Sequence, residues 1–384
     1  MSTATVPGRQ LRPPTSFVPI GRRLLFAERR RAALTVLGVA AALLLVLVLD
    51  GIFAGAIDRV TSYIRSSPAT VFVAQSGVRT MHMSSSGLPA GTVAAVASVE
   101  GVAWAAPIQF ARGSVSGPSG RQLSYLIGYD TGTGRGGPTD LVAGRAPRPG
   151  EAVVDDLGAD QLGLRLGGTV TILGTPLTVV GLSTSGTSIT NTTVFVAAEQ
   201  FRAMRGDTTS YVLAGTHADA SPDAVTDRIA ETVPGVIAQT RDEFARSEAR
   251  IVTDMSADLL KLMSTIGLLI ALAVIALGQM TATLSRIRDF AVLKALGAPT
   301  RRLAGAVTAQ VVWTVALAAL LAAGLAVLIG WAVVAAAPAV QISITLTSVA
   351  QTTLQALVIG LGAALWPLRR IAGLDAATAF RETP

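Results

Sequence analysis

The hydrophobic pattern changes character more than once along the chain. Residues 33–56 form an almost unbroken apolar run, and residues 262–284 form a second. Between them, residues 58–260 alternate short apolar runs with polar punctuation, the signature of a water-soluble domain. After Arg302 there is no Asp, Glu, Lys or Arg until Arg369. A helix needs about 20 mostly apolar residues to cross a bilayer, so this last stretch holds two more spans, 307–334 and 348–368. Ala337-Pro338 and the β-prone run from Gln341 to Thr345 separate them, because Pro lacks the amide donor a helix requires.

Within 58–260 the pattern predicts alternating short strands and helices. Val71-Phe72-Val73 is a strand, 92–99 a helix, and Gly101-Val102 opens a strand through Trp104 to Ile108. Residues 123–127 and 152–154 are β, and 169–180 is a hairpin turned at Leu173-Gly174-Thr175. Strands follow at 193–196 and 210–213, then a helix at 223–232 and a strand after Pro234-Gly235-Val236. Residues 241–260 are polar and helical and run on into the second span. Val99-Glu100-Gly101-Val102 and Val233-Pro234-Gly235-Val236 sit alike between an amphipathic helix and a strand. That echo suggests two βαβ-like halves with a mostly β insertion over about 112–200. The expected fold class is a membrane protein with four transmembrane α-helices and an α+β extracytoplasmic domain inserted between helices 1 and 2.

Charge orients this arrangement. Seven Arg against Glu28 precede the first span, and Arg286, Arg288, Lys294, Arg301 and Arg302 against Asp289 separate spans two and three. Residues 58–260 carry 15 Arg and 19 acids. Basic residues concentrate in cytoplasmic segments, so both termini and the 286–302 loop are expected in the cytoplasm of a multi-pass protein of the inner (plasma) membrane. The expected segments are 1–32 (cytoplasmic, with an amphipathic helix), 33–56 (span one), 57–260 (outward domain), 261–285 (span two), 286–302 (cytoplasmic helix), 303–335 (span three), 336–347 (outer loop), 348–368 (span four) and 369–384 (cytoplasmic tail). The formal charge of +7 is then a topology signal and no sign of nucleic-acid binding.

Composition removes several chemistries. Charged residues make up 14% of the chain against about 25% in soluble domains, which points to lipid as one of its solvents. There is no cysteine, which removes disulfides, thiolate nucleophiles and Cys-based metal sites. His82 and His217 have no companions at metal-ligand spacing; no metal is expected. Glu151, Asp155, Asp156 and Asp160 read as a solvated strand edge, and Gly132-Thr133-Gly134-Arg135-Gly136-Gly137 as a flexible loop. No G-x-x-x-x-G-K-[ST] is present, so no nucleotide is expected on this chain by that route. The spans hold no ionisable group deeper than Asp50, which argues against ion coupling. Gly51 and Gly55 form a GxxxG at the outer end of span one, suited to close helix packing.

The loop 286–302 is the most informative segment. Phe290, Val292, Leu293 and Leu296 make an apolar stripe, Arg288 and Lys294 lie off it, and Gly297 with Pro299 ends the helix. Such a helix either docks into a partner's groove or lies on the membrane surface. From Asp289 to Ala298 the segment resembles the coupling segment of the FtsX/MacB-type ABC permease family, with Asp289 where the family usually has Glu. The run from Leu24 to Gly38 resembles the family's lead-in to its first span. Leu141-Val142-Ala143-Gly144-Arg145-Ala146-Pro147, Gly150-Glu151-Ala152-Val153-Val154, Leu162 to Gly168 and Leu177 to Gly181 resemble its extracytoplasmic domain. The end, Trp366 to Arg381, resembles its tail, with Ala376 in place of the usual Pro.

The resemblance implies a non-catalytic permease subunit. Arg288, Asp289, Phe290, Val292, Leu293, Lys294, Leu296 and Gly297 would form the docking helix for two copies of a separate ABC ATPase, which would hold ATP and Mg. It also implies a second permease copy (a homodimer, or a pair with a similar chain), membrane lipids as neighbours and an extracytoplasmic partner protein. ATP hydrolysis would drive the outward domain for export or extraction of a substrate. The alternatives are an FtsX-like mechanotransmitter that regulates a cell-envelope enzyme, and a membrane-anchored sensor with no ATPase.

Overall fold

The computed structural model describes residues 29–184, 192–285, 299–336, 340 and 342–372. Arg288, Asp289, Phe290, Val292, Leu293, Lys294, Leu296 and Gly297 lie outside the described residues, as do the amphipathic segment before residue 29 and the tail after residue 372. The chain divides into two compact units. One comprises Val48–Met263 with Val327–Thr345; the other comprises Met1–Leu47, Ser264–Ala326 and Leu346–Pro384.

The first helix, α1 (Arg29–Ser66), is 38 residues long. Then follow β1 (Val71–Gln75), α2 (Thr92–Ala97), β2 (Val102–Gly117), β3 (Gly120–Tyr129), β4 (Leu141–Gly144), β5 (Glu151–Asp155) and α3 (Asp156–Leu162). Next come β6 (Thr169–Ile172), β7 (Thr175–Ser183), β8 (Thr192–Ala197), α4 (Ala198–Arg205), β9 (Tyr211–Thr216), α5 (Pro222–Thr232) and β10 (Val236–Thr240). Three helices close the described chain: α6 (Arg241–Ser285), 45 residues long, α7 (Thr300–Ala336) and α8 (Leu346–Ala372).

Ten strands form one sheet, ordered β10-β1-β9-β2-β3-β8-β5-β7-β4, with β6 paired to β2 and β7. Strands β1 and β2 are both antiparallel to β9, which lies between them, and α2 connects them. Likewise β9 and β10 are both antiparallel to β1, and α5 connects them. Two βαβ units are thus interleaved, each inserting a strand into the other. The echo in the sequence has a local cause. Gly101 and Gly235 both take left-handed φ, 94° and 74°, at the turn from helix into strand, a conformation that glycine adopts without the Cβ penalty.

Alternation along β1 sorts its side chains onto two buried faces. Val71 and Val73 face Val96, Val99, Val225 and Ile229 in the α2/α5 layer. Phe72 and Ala74 belong to a second cluster with Tyr63 and Ile64 at the end of α1 and Phe244 and Ala245 at the start of α6. That cluster continues to Ile127, Tyr129, Val153 and Phe195. The opposite face of β3–β8 is covered by α3 and α4 through Leu162 and Phe201.

Several elements were not anticipated. β4 has four residues, lies at the sheet edge and pairs irregularly with β7. Helices α3 and α4 have seven and eight residues, too short for a 3.6-residue period to stand out. β2 runs on past Ile108 to Gly117 because ten consecutive residues pair with β3; its Gly and Ser content hid this. The hairpin turn between β6 and β7 puts Leu173 at φ 52° and Gly174 at 86°, the mirror-image turn that suits strand twist.

The membrane helices obey a different packing rule. Three stretches, Ala32–Ser66, Ala304–Ala336 and Leu346–Leu365, are long and apolar enough to cross a bilayer; in α6 the described apolar stretch, Thr265–Gly278, is shorter. Along α7 the buried positions include Val307, Val311, Val315, Ala318, Ala322 and Ala326, whereas Leu320 is 73% and Trp331 81% exposed. Small residues inside and large apolar residues outside is the arrangement expected when lipid is the solvent. Glycines in this unit admit close neighbours: a Cβ on Gly267 would lie 2.8 Å or less from the Val46 side chain, and one on Gly38 2.8 Å from Val274.

Candidate functional site

The end of α1 and the start of α6 are where membrane-derived helices enter the α/β domain, and both ends are built into its core. In α1, the Tyr63 hydroxyl donates to the Gly136 carbonyl at 2.8 Å, and its ring lies 6.1 Å from that of Phe195. The end of the glycine-rich loop, Gly136-Gly137, is therefore packed, whereas Gly132, Thr133 and Gly134 are exposed. A Cβ on Gly136 would meet Ile108, and one on Gly137 would meet Tyr129. Arg135 lies 4.3 Å above the Trp104 ring. Burial pushes the Tyr129 phenol up to about 12.

Helix α6 begins with a capping box. The Thr240 amide donates to Glu243 Oε2 at 3.1 Å, and the Glu243 amide donates to Thr240 Oγ1 at 3.3 Å. One residue on, Phe244 stacks on Phe72 with ring centres 5.0 Å apart. One turn further, Glu248 is fully buried. Its Oε1 accepts the amides of Met81 and, at 3.1 Å, His82, and its Oε2 lies 2.9 Å from His82 Nδ1. The His82 ring meets Tyr125 edge-on at 4.6 Å. Beside it, Tyr211 donates to the Thr80 carbonyl at 3.2 Å; burial, then the Glu248 charge, raise its pKa.

Glu248 and His82 are 166 residues apart in sequence, and no spacing rule joins them. The signal available was weaker: a lone Glu at a position where the polar start of α6 turns its apolar side to the domain. Among the described residues no group of three or more His, Cys, Asp or Glu could hold a metal ion.

The carboxylates read as a solvated edge separate in the structure. Asp155 is fully buried at the end of β5, opposite Ser183 of β7. Continuing the antiparallel register of β5 with β8, in which Val154 faces Val194, Asp155 follows on to Thr193. Thr193 in turn pairs with Tyr125. A polar row therefore crosses four strands on the face that carries Tyr63. Arg59 of α1 lines a small cavity there with Ser62, Tyr63, His82, Tyr125 and Thr193.

Glu151, by contrast, forms a bidentate pair with Arg145, both contacts at 2.6 Å. Hydrogen bonds from the Arg145 side chain and the Arg148 amide hold its carboxyl down to about 2. This pair shapes the β4–β5 connection. Gly144 precedes it at φ 87°, where a Cβ would strike the Val180 carbonyl at 2.1 Å. The Gly-Arg…Gly-Glu pattern thus encodes a turn.

Gly51, singled out for helix packing, meets an extended segment of its own chain. The Ser343 amide donates to the Gly51 carbonyl at 2.9 Å, and a Cβ on Gly51 would lie 2.8 Å from Ile342 Cγ2. Gly55 is buried.

Comparisons with known proteins agree with this architecture. Residues 32–232 match the model of the MacB-like periplasmic core domain, and residues 261–376 that of the FtsX-like permease C-terminal region. An uncharacterized ABC transporter permease of Mycobacterium bovis is 26% identical over 360 residues, covering 92% of this chain and 96% of its own. One from Mycobacterium tuberculosis is 26% identical over 370 residues with the same coverage. Among solved structures, the periplasmic region of MacB from Actinobacillus actinomycetemcomitans aligns with 48% of this chain and 94% of its own at 13% identity and a TM-score of 0.38. The extracellular domain of YknZ, an ABC-type transporter of Gram-positive bacteria, aligns with 44% of this chain and 99% of its own at 14% identity and a TM-score of 0.35. The family models span most of the sequence, and the chain is a multi-pass membrane protein of the FtsX/MacB-type ABC transporter permease family, with a MacB-like α/β extracellular domain.

Proposed function

We propose that this chain is the membrane subunit that transmits movements of a separate ATPase to its own extracellular domain, for export or extraction of a substrate. The observation that carries this reading is the continuity of α1 and α6. At 1.5 Å per residue, helices of 38 and 45 residues are ~57 and ~68 Å long, about twice the ~30 Å hydrocarbon core. Each helix is thus long enough to cross the membrane and continue into the domain, where its other end belongs to the core.

In this reading α6 supplies span two, both termini are cytoplasmic, and 286–302 is the docking helix. Two ATPase copies bind ATP and Mg and carry out the hydrolysis; this chain has no catalytic role and works as a dimer with a second permease. The family gives the general expectation of an ABC ATPase partner, and the basic 286–302 loop supports the side on which it docks.

The test is copurification from detergent-solubilised membranes, comparing wild type with Leu293→Asp and Leu296→Asp. The expected result is an ATPase that accompanies wild type and is lost from both variants while they stay folded. An ATPase retained unchanged by the variants removes the docking role, and one absent from wild type favours the anchored sensor.

A further inference from the structure

Gly51 and Gly55 lie one turn apart on α1, the spacing that lets another helix approach closely. The Gly51 position is taken instead by residues 342–344, an irregular stretch between α7 and α8. Ile342 is seated between two glycines. A Cβ on Gly51 would lie 2.8 Å from Ile342 Cγ2, and a Cβ on Gly330 of α7 would lie 3.7 Å from Ile342 Cβ. Ile344 flanks the first glycine, with its Cγ1 3.3 Å from the same Cβ position. Between the two isoleucines, the Ser343 amide donates to the Gly51 carbonyl at 2.9 Å. Gly51 and Gly330 are buried, and Ile342, Ser343 and Ile344 are half-buried. All five residues belong to one compact unit.

We propose that residues 342–344 are a reversible strap, seated on α1 through Ile342, which covers the Gly51 face in place of a helix. The seat is steric. Carbon atoms meet at about 3.5–4.0 Å, so even one methyl group added at Gly51 overlaps Ile342 and Ile344. The two glycines are therefore not equivalent. A Cβ at Gly330 makes an ordinary contact, whereas a Cβ at Gly51 unseats the strap. Release leaves little unmet behind. A helical carbonyl already accepts from the amide four residues on, so the Gly51 carbonyl keeps a partner within α1 when Ser343 leaves. The contrast is with Glu248, where a buried carboxylate parted from its donors would keep its desolvation penalty. A contact that small residues shape and one backbone bond holds is suited to opening and closing. The surface that the glycine pair would offer to another helix is thus held by the chain's own outer loop. The inference concerns this face of α1 alone and stands with or without an ATPase.

The chain has no cysteine, so a single introduced thiol reports on the strap. In the purified full chain in detergent, Ser343→Cys keeps the backbone amide, and its rate of labelling by a charged maleimide measures how often the strap is unseated. The parent thiol should react slowly but to completion; a fraction that never reacts means a fixed segment and overturns the strap. Adding Gly51→Leu should raise the rate roughly tenfold, within the range that overpacking produces, and adding Gly330→Ala should leave it unchanged. Gly51→Ala and Ile342→Ala should each raise it by less. Combined, they should raise it by less than the product of their separate effects, because the overlapping Cγ2 is gone. Equal rates with and without Gly51→Leu, or an equal rise with Gly330→Ala, overturn the proposal. Should Gly51→Leu not fold, Ile342→Ala decides, since it removes the seated side chain and leaves α1 untouched. Its rise should bring Ser343→Cys toward the rate of Thr345→Cys, which is exposed in the native chain. No rise, or a Ser343→Cys as reactive as Thr345→Cys with the seat intact, overturns it.

Discussion

The α/β domain and the last two membrane helices differ in the residues they bury. In the domain the largest fully buried side chains include Tyr129, Tyr211, Phe72, Phe195 and Phe244, gathered by water's exclusion of large apolar surface. In α7 and α8 the buried positions include Ala318, Ala322, Ala356 and Ala364, while Leu346, Trp331 and Leu320 are more than 70% exposed. In lipid there is no gain in hiding a leucine, so close approach through small residues decides the packing. The two regions should therefore answer the same substitutions differently.

The largest effect is expected where the domain grips a helix. Phe244→Ala removes the ring stacked on Phe72 and should destabilise the domain by about 3–5 kcal/mol, seen as a lowered melting temperature of the purified chain. Glu248→Ala leaves the Met81 and His82 amides facing a void, a loss on the order of 2–3 kcal/mol, read as faster exchange over 71–89. Adding bulk tests the other rule. Gly267→Leu forces a side chain against Val46 and should cost about 1–3 kcal/mol, whereas a leucine at Gly362, with nothing near its Cβ direction, should be tolerated in the same thermal assay.

A smaller effect is expected from acid. The Glu151 carboxyl is held below its ordinary range, down to about 2, so the folded state binds this proton less readily than the unfolded chain. Its contribution is present above about pH 4.5 and is lost as the pH falls toward 2. Because the pair is open to solvent, Glu151→Gln should flatten the acid limb of stability only slightly, and salt should mimic it. Smallest of all is Leu328→Ala. That side chain is 65% exposed, and the melting temperature in detergent should barely move. A large drop would contradict the inverted packing of α7.

Much of the element order was legible because periodicity is local. Val71 to Val73, Ala152 to Val154 and Thr193 to Val196 read as strands and are strands. The polar helix after Thr240 does continue unbroken into the second apolar run. What failed were short elements and burial. Asp155 and Glu151 are four residues apart and look alike in sequence, yet one is buried at the end of β5, between β8 and β7, and the other pairs with Arg145 at the surface. The glycine-rich loop looked loose, yet Asp130 accepts from Gly132 and Thr133 at its start, and Tyr63, 73 residues earlier, bonds to Gly136 at its end.

The sequence by itself determined the solvent of each segment. Apolar runs of span length, the missing charges between Arg302 and Arg369 and the basic loops are properties of consecutive residues, and the hydrophobic effect acts on them without reference to any partner. Only the tertiary structure decided which distant groups meet: Glu248 with His82, Tyr63 with the Gly136 carbonyl, and the ends of α1 and α6 in one core cluster. Those pairings depend on strand order and register, which non-local hydrogen bonds fix, and a buried charge has no meaning until the chain has closed around it.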